Sequence, residues 1–297
     1  MQSILTVYPP EVLAIIAGIF GLLVGSFLNV VIYRLPVMMQ REFEVEATHI
    51  LQGEEAAIKV LESQEKFNLN VPRSRCQSCG KQITSLQNIP VISWLILRGK
   101  CANCKTPVSA RYPIIETITG ILTAICIYKF GVTWAGLGAV GLTWSLITLT
   151  MIDFDTQLLP DSITLPLLWA GIIFSMLPHE PGFPANDLQT SIIGAIAGYL
   201  ALWTVYWAFK LITGKEGMGH GDFKLLAALG AWMGWQMLPV IILLSAVVGA
   251  VTGIAMIIFG GHKREVPIPF GPYLAGAGLL AMLLGSKLNF WLSAIVS

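Results

Sequence analysis

Charge is scarce in this chain. Only 12% of its 297 residues are Asp, Glu, Lys or Arg, where a soluble domain of this length carries about a quarter. Hydrophobic residues make up 55% and mean hydropathy is +0.72, so lipid is the expected solvent for most of the chain. Net charge is +1, which leaves no basic footprint for nucleic acid. Several catalytic signatures are missing too. The chain has no G-x-S-x-G elbow, no Walker loop and no HExxH helix, which removes the common serine-hydrolase, nucleotide-hydrolase and zincin patterns. No internal repeat or low-complexity stretch interrupts it. No basic residue precedes the first apolar run, Val12 to Tyr33, which ends at Arg34. That run is too long for a signal-peptide core, so it is expected to stay in the membrane.

What is present is a series of apolar segments, near 12–33, 113–130, 133–152, 162–178, 189–210, 224–236, 238–260 and 271–293. Several approach the roughly 20 residues that cross a bilayer as a helix. The fold expected is an all-α polytopic membrane protein of about eight transmembrane helices. The 224–236 segment is the shortest and carries Gly230 and Gly234. One polar insert, 36–111, holds ten Lys or Arg and seven Glu. The chain thus divides into a first helix (1–35), an insert (36–111) and a membrane-embedded remainder (112–297).

Loop charge orients the segments. With the insert in the cytosol, eight crossings put 153–161, 211–223 and 261–270 on the same side. Those loops and their borders carry Lys210, Lys215, Lys224, Lys263 and Arg264, while the opposite loop 179–187 has no Lys or Arg. Only Lys129 and Lys287 fall near outer ends, so sixteen of eighteen basic residues sit inside.

Four of the five cysteines form two CxxC pairs inside the insert: Cys76 with Cys79, and Cys101 with Cys104. In an oxidising compartment they could be disulfides; in the cytosol, where the charge pattern puts them, four thiolates around one zinc ion in a small ribbon are expected. Cys126 lies in an apolar segment and reads as a small buried residue.

Acids collect at the same membrane face. Asp153, Asp155 and Asp161 share the loop MIDFDTQLLPD, and Asp222 closes Gly219-His220-Gly221-Asp222. Carboxylates at a membrane edge are costly and tend to mark function. Two brought together can divide protonation, one serving as base on a water while the other donates to a carbonyl. The plain alternative is helix capping. Asp161 reads as an N-cap or helix-start residue, and Asp155 as structural or solvated. Asp153 lies deepest and is the better partner for Asp222. The glycines around His220 would leave room for a substrate backbone. His220 has no second histidine nearby to complete a metal site. Glu116, near one end of its segment, is a buried-acid candidate that could equally pair with Arg111 or cap the helix. The nine tryptophans read as interfacial anchors and packing.

At these residues the chain resembles the bacterial type IV prepilin peptidases, bifunctional leader peptidase and N-methyltransferase enzymes of the GxGD aspartyl type. The resemblance runs through Gly25-Ser-Phe-Leu-Asn29, Tyr33-Arg34-Leu35-Pro36, the paired CxxC, Asn88-Ile-Pro90, Ser93-Trp94-Leu95, Arg98-Gly99-Lys100-Cys101, Arg111-Tyr112-Pro113 with Glu116, the Asp153 loop, the sequence around Asp222, and Pro269-Phe-Gly-Pro272-Tyr273. It implies that 112–297 is a membrane aspartyl protease core with Asp153 and Asp222 as its catalytic pair. It implies zinc on Cys76, Cys79, Cys101 and Cys104. It further implies prepilin and type II secretion pseudopilin substrates, cut after a glycine at the cytoplasmic face of the bacterial inner membrane. The new terminal residue, usually phenylalanine, would then be methylated with S-adenosylmethionine. No glycine-rich methyl-donor loop is visible, so the donor site has no expected place. Two rival functions remain: a proton-coupled transporter, which the lack of repeats disfavours, and a zinc-ribbon binding module anchored by its spans.

Overall fold

The computed structural model describes residues 8–177, 187–260 and 269–296, with side chains left aside beyond Gly285. Most of the 179–187 and 261–270 loops, with Lys263 and Arg264, and the side chain of Lys287 lie outside what is described. The described residues form helices and no strands, with isolated bridges only at Arg75–Gln82 and Lys100–Pro107. The chain is all-α, as expected. It divides into two compact units, one of residues 14–124 and one of residues 125 onward with the residues before 14.

The 14–124 unit is built on α1 (Pro10–Gln52), a 43-residue helix. At 1.5 Å per residue it is about 65 Å long, roughly twice the hydrocarbon thickness. Its first half is apolar; its second half, past Pro36, carries Arg41, Glu42, Glu44 and Glu46 and belongs in water. A glycine stripe docks α1 on α4 (Arg111–Phe130). A Cβ on Gly21 would lie 2.7 Å from Thr123 Oγ1, and one on Gly25 would lie 2.7 Å from the Glu116 Cα. Small residues at this spacing let two helices meet backbone to backbone. Asn29 Nδ2 then donates to the Tyr112 carbonyl at 3.2 Å. Two short helices, α2 (Glu54–Ser63) and α3 (Ile92–Ile96), lie in the insert. Arg34, buried, ties the insert down by donating to the carbonyls of Asn68 (2.7 Å) and Pro72 (2.5 Å).

The other unit holds α5 (Trp134–Thr156), α6 (Asp161–Phe174), α7 (Leu188–Thr213), α8 (His220–Met233), α9 (Leu238–Gly260) and α10 (Gly271–Val296). At its centre is α8, buried at every residue from Leu225 to Met233. Its tightest partner is α7. A Cβ on Gly194 would sit 2.2 Å from the Gly230 carbonyl oxygen, and one on Gly230 would sit 2.1 Å from that of Gly194. Ser191 Oγ donates to the Ala231 carbonyl at 2.7 Å across the same seam, and Trp232 Nε1 donates to the Leu167 carbonyl of α6 at 2.8 Å. Cys126 is fully buried, as expected of an apolar position.

The eight apolar segments fall on helices, and the described residues leave the number of crossings open between five and eight. Among the described residues, five helices are long and apolar enough to cross a membrane: Pro10–Gln52, Arg111–Phe130, Trp134–Thr156, Leu188–Thr213 and Trp235–Met256. Asp161–Phe174 is a shorter apolar helix, and Gly271–Gly285 is the apolar part of α10 whose side chains are described. The 14 residues of α8 reach about 21 Å, against a hydrocarbon core of roughly 30 Å.

Candidate active site

Asp153 lies in the last turn of α5, which ends where Gln157 turns left-handed (φ 55°) and donates its N–H to the Asp153 carbonyl at 2.9 Å. Asp222 lies in the first turn of α8, where the helix dipole favours an anion. Both residues are buried, at 4% and 6% exposure. Leu159 lies near both, against Gly221 next to Asp222 and against Gly271 beside Asp153. Asp153 Oδ2 is buried with no hydrogen-bond partner among the described residues. A buried oxygen without a partner is unusual in a folded protein.

Three further residues shape this site. The Gly271 N–H, at the start of α10, faces the Asp153 carboxylate, and a Cβ on Gly271 would lie 2.6 Å from Asp153 Oδ2. A Cβ on Gly221 would lie 2.7 Å from the Leu159 Cβ. The two GxGD glycines therefore differ. Gly221 is closed off by Leu159, which brings the Asp153 loop onto the start of α8. Gly219 is open, since an added Cβ would meet only Asp222 Oδ2, at 3.9 Å. Among the described residues, the room expected for a substrate backbone lies on the Gly219 side.

The remaining acids separate by environment. Asp155 is exposed. Asp161 is the first residue of α6 rather than its cap, which is Pro160, and both its oxygens accept from Lys224 Nζ at 2.7 Å. That pair joins the start of α6 to α8. His220 packs its ring against Tyr206 and Phe223, with centroids 5.2 and 5.4 Å away. It fastens α7 to the start of α8.

The four insert cysteines converge. Cys76, Cys79, Cys101 and Cys104 place their sulfurs within 4.8 Å of one another, and none is in a disulfide. The two halves repeat one hairpin. Gly80 N–H donates to the Cys76 carbonyl (2.9 Å) and Lys105 N–H to the Cys101 carbonyl (3.1 Å), both from left-handed backbone. Cys76 and Cys104 sulfurs are 3.8 Å apart, close to the edge of a tetrahedron with Zn–S bonds of about 2.3 Å. The Thr106 hydroxyl and amide beside Cys104 hold its thiol down to about 6, which favours the thiolate that binds metal. The cluster fits a four-thiolate metal site.

Glu116, also in the 14–124 unit, is buried, and its Oε2 accepts from the Val91 N–H at 2.8 Å. Ser26 adds a side-chain hydrogen bond. Val91 has φ 60° and ψ −50° and sits at the apex of a turn closed by Ile92 N–H to the Pro90 carbonyl. A β-branched residue in such a γ-turn stores about 1–3 kcal/mol of strain. Beside it opens a cavity of about 1040 Å³, lined by residues from Ser26 to Glu116.

Comparison with known proteins places this arrangement. Residues 19–130 match the bacterial peptidase A24 N-terminal domain, and residues 140–254 match the type IV leader peptidase family. The chain is 51% identical to the prepilin leader peptidase/N-methyltransferase of Aeromonas hydrophila, over 92% of this chain and 91% of that protein. It is 51% identical to the one from Stutzerimonas stutzeri (94% and 93% covered) and 49% identical to the one from Pseudomonas aeruginosa (91% and 90%). The chain belongs to the type IV leader peptidase family. No solved structure matches it.

Within that family frame, three features escaped sequence reading. Gly271 was visible only as part of a Pro-Phe-Gly-Pro stretch with no role attached. Leu159 looked like an ordinary loop leucine. Arg34 read as the end of a membrane segment and is instead the clamp on the insert. A glycine beside a helix-starting proline, as at Gly271-Pro272, hinted at close approach, but nothing local named Asp153 as its neighbour.

Proposed function

We propose that this protein is a membrane aspartyl peptidase that removes the leader of prepilins and then N-methylates the new terminus. Asp153 and Asp222 would act as one centre. The observation that carries this reading is the burial of two carboxylates, from helices far apart in sequence, whose neighbouring glycines both meet Leu159, one carboxylate having a buried oxygen without a partner. One carboxylate takes a proton from water as it attacks the scissile carbonyl; the other, protonated, donates to that carbonyl oxygen. Gly219 leaves a lane for the substrate backbone, and Gly271 N–H steadies Asp153. The relatives' shared name supports both the peptidase and the methyltransferase activity.

The finer reading extends to pseudopilins of type II secretion, to cleavage after glycine, and to the cytoplasmic face of the bacterial inner membrane. The excess of Lys and Arg in the insert and neighbouring loops supports that sidedness. Cys76, Cys79, Cys101 and Cys104 would hold zinc, whose contribution is to fix the ribbon's shape. S-adenosylmethionine would supply an activated methyl group to the freed amine.

Incubating the purified protein in detergent with a prepilin, with and without S-adenosylmethionine, tests the proposal by mass. Leader loss without the donor, and a further gain of one methyl with it, is the expected result. No product from the intact protein would favour transport or simple binding instead.

A further inference from the structure

We propose that the cavity of the 14–124 unit is the methyl-donor site, with Glu116 as the carboxylate that receives the donor's cationic groups. This rests on the methyl-transfer part of the function proposed above.

The donor is a demanding ligand. S-adenosylmethionine carries a sulfonium, an ammonium, a carboxylate, a ribose diol and a flat adenine. A site for it needs an anion, a cation and aromatic surface in one concavity of roughly 300–1,000 Å³. The cavity of about 1040 Å³ offers all three: Glu116 as the anion, Arg73, Arg75, Lys81 and Lys100 as cations for a carboxylate, and the rings of Tyr33 and Trp94. Arg34 lines it too but is already spent on the Asn68 and Pro72 carbonyls. A second cavity, of about 400 Å³ in the other unit, is walled by side chains such as Leu168, Ile172, Ile192 and Ile196 and has nothing for a zwitterion.

Glu116 is the informative residue. Burying a carboxylate is unfavourable unless it is partnered, yet the fold holds this one in place with the strained Val91 N–H and with Ser26. Strain kept at a fixed position is a mark of a functional contact rather than of stability. Cys76 and Cys101 line the same cavity, so the metal cluster shapes one of its walls. That gives the ribbon a task, since losing the metal would remove part of the donor site.

The test uses the full-length, zinc-loaded protein in detergent. Calorimetry measures S-adenosylmethionine binding, and ultraviolet cross-linking of the methyl-labelled donor followed by peptide mapping locates it. The label is expected within residues 26–116. Glu116→Gln is expected to weaken binding at least 10-fold with zinc content unchanged. Val30→Trp, which fills the cavity from α1, is expected to abolish it. Label confined to peptides after residue 125, or an unchanged Kd in Glu116→Gln, would overturn the inference while leaving the methyl-transfer reading intact. No binding by the intact protein would overturn both. The cross-link on the intact protein decides the location even if a variant misfolds.

Discussion

Glycine seams join helices in both units, but the insert of the 14–124 unit holds its shape by other means than the 125–296 unit. The 125–296 unit relies on glycine seams that bring helix backbones into contact, with α8 as a buried axis and the aspartates at its rim. In the 14–124 unit, most of the insert is exposed, and its form comes from the thiol cluster, the Arg34 clamp and left-handed backbone at Val91, Arg98 and Lys105. The first kind of construction suits buried acids that must not move. The second suits a polar pocket in water, and would make it dependent on the metal proposed for the four cysteines. The two chemistries should therefore fail separately.

Removing metal is the largest perturbation. A ribbon of this size draws an apparent ~10–16 kcal/mol from zinc, so strong chelation, or Cys104→Ser, is expected to unfold the insert. Limited proteolysis should then cut within 68–110, and methylation should fall further than cleavage. Equal loss of both at normal expression would erase the contrast between the units. Next comes the glycine seam. Gly230→Leu drives a side chain into the α7 backbone and is expected to cost about 3 kcal/mol or more, lowering the detergent melting temperature and abolishing cleavage. Donor binding should persist. A smaller, sharper change is Gly271→Ala, whose methyl would press on Asp153 Oδ2. Displacing a catalytic group by about 1 Å can cost roughly 100-fold in rate, so cleavage should fall by that order with the melting temperature nearly unchanged. The least effect is expected from Lys224→Met. Its pair with Asp161 is partly exposed, at 29% and 54% of the two side chains, and such pairs contribute about 0–1 kcal/mol. Thermal melting should register little, and a large loss would show that the α6–α8 join matters more than its exposure suggests.

Much of this was legible beforehand because the signals were local. Apolar runs give membrane helices, and paired CxxC spacing gives a four-sulfur cluster; both are properties of neighbouring residues. Asp153 and Asp222 could be named as a pair only through loop charge and family resemblance, since 69 positions separate them. The tertiary facts stayed hidden. Hydropathy cannot distinguish a helix buried in protein from one buried in lipid, so the sequence does not show that the 14 residues of α8 form the buried centre of a unit. Gly221 and Gly219 look alike in sequence; only Leu159, packed on one of them, separates their roles. Glu116 could be seen as an acid in an apolar helix, but its partner Val91 sits in a strained turn that no propensity anticipates.

The most direct measurement is the rate of leader removal by Asp153→Asn, Asp222→Asn and the double variant, compared in one detergent preparation. Groups that act as a unit lose together, so each single variant is expected to lose about as much as the double, at least roughly 100-fold. Losses that multiply as independent effects, or wild-type cleavage by either single variant, would contradict a shared active centre.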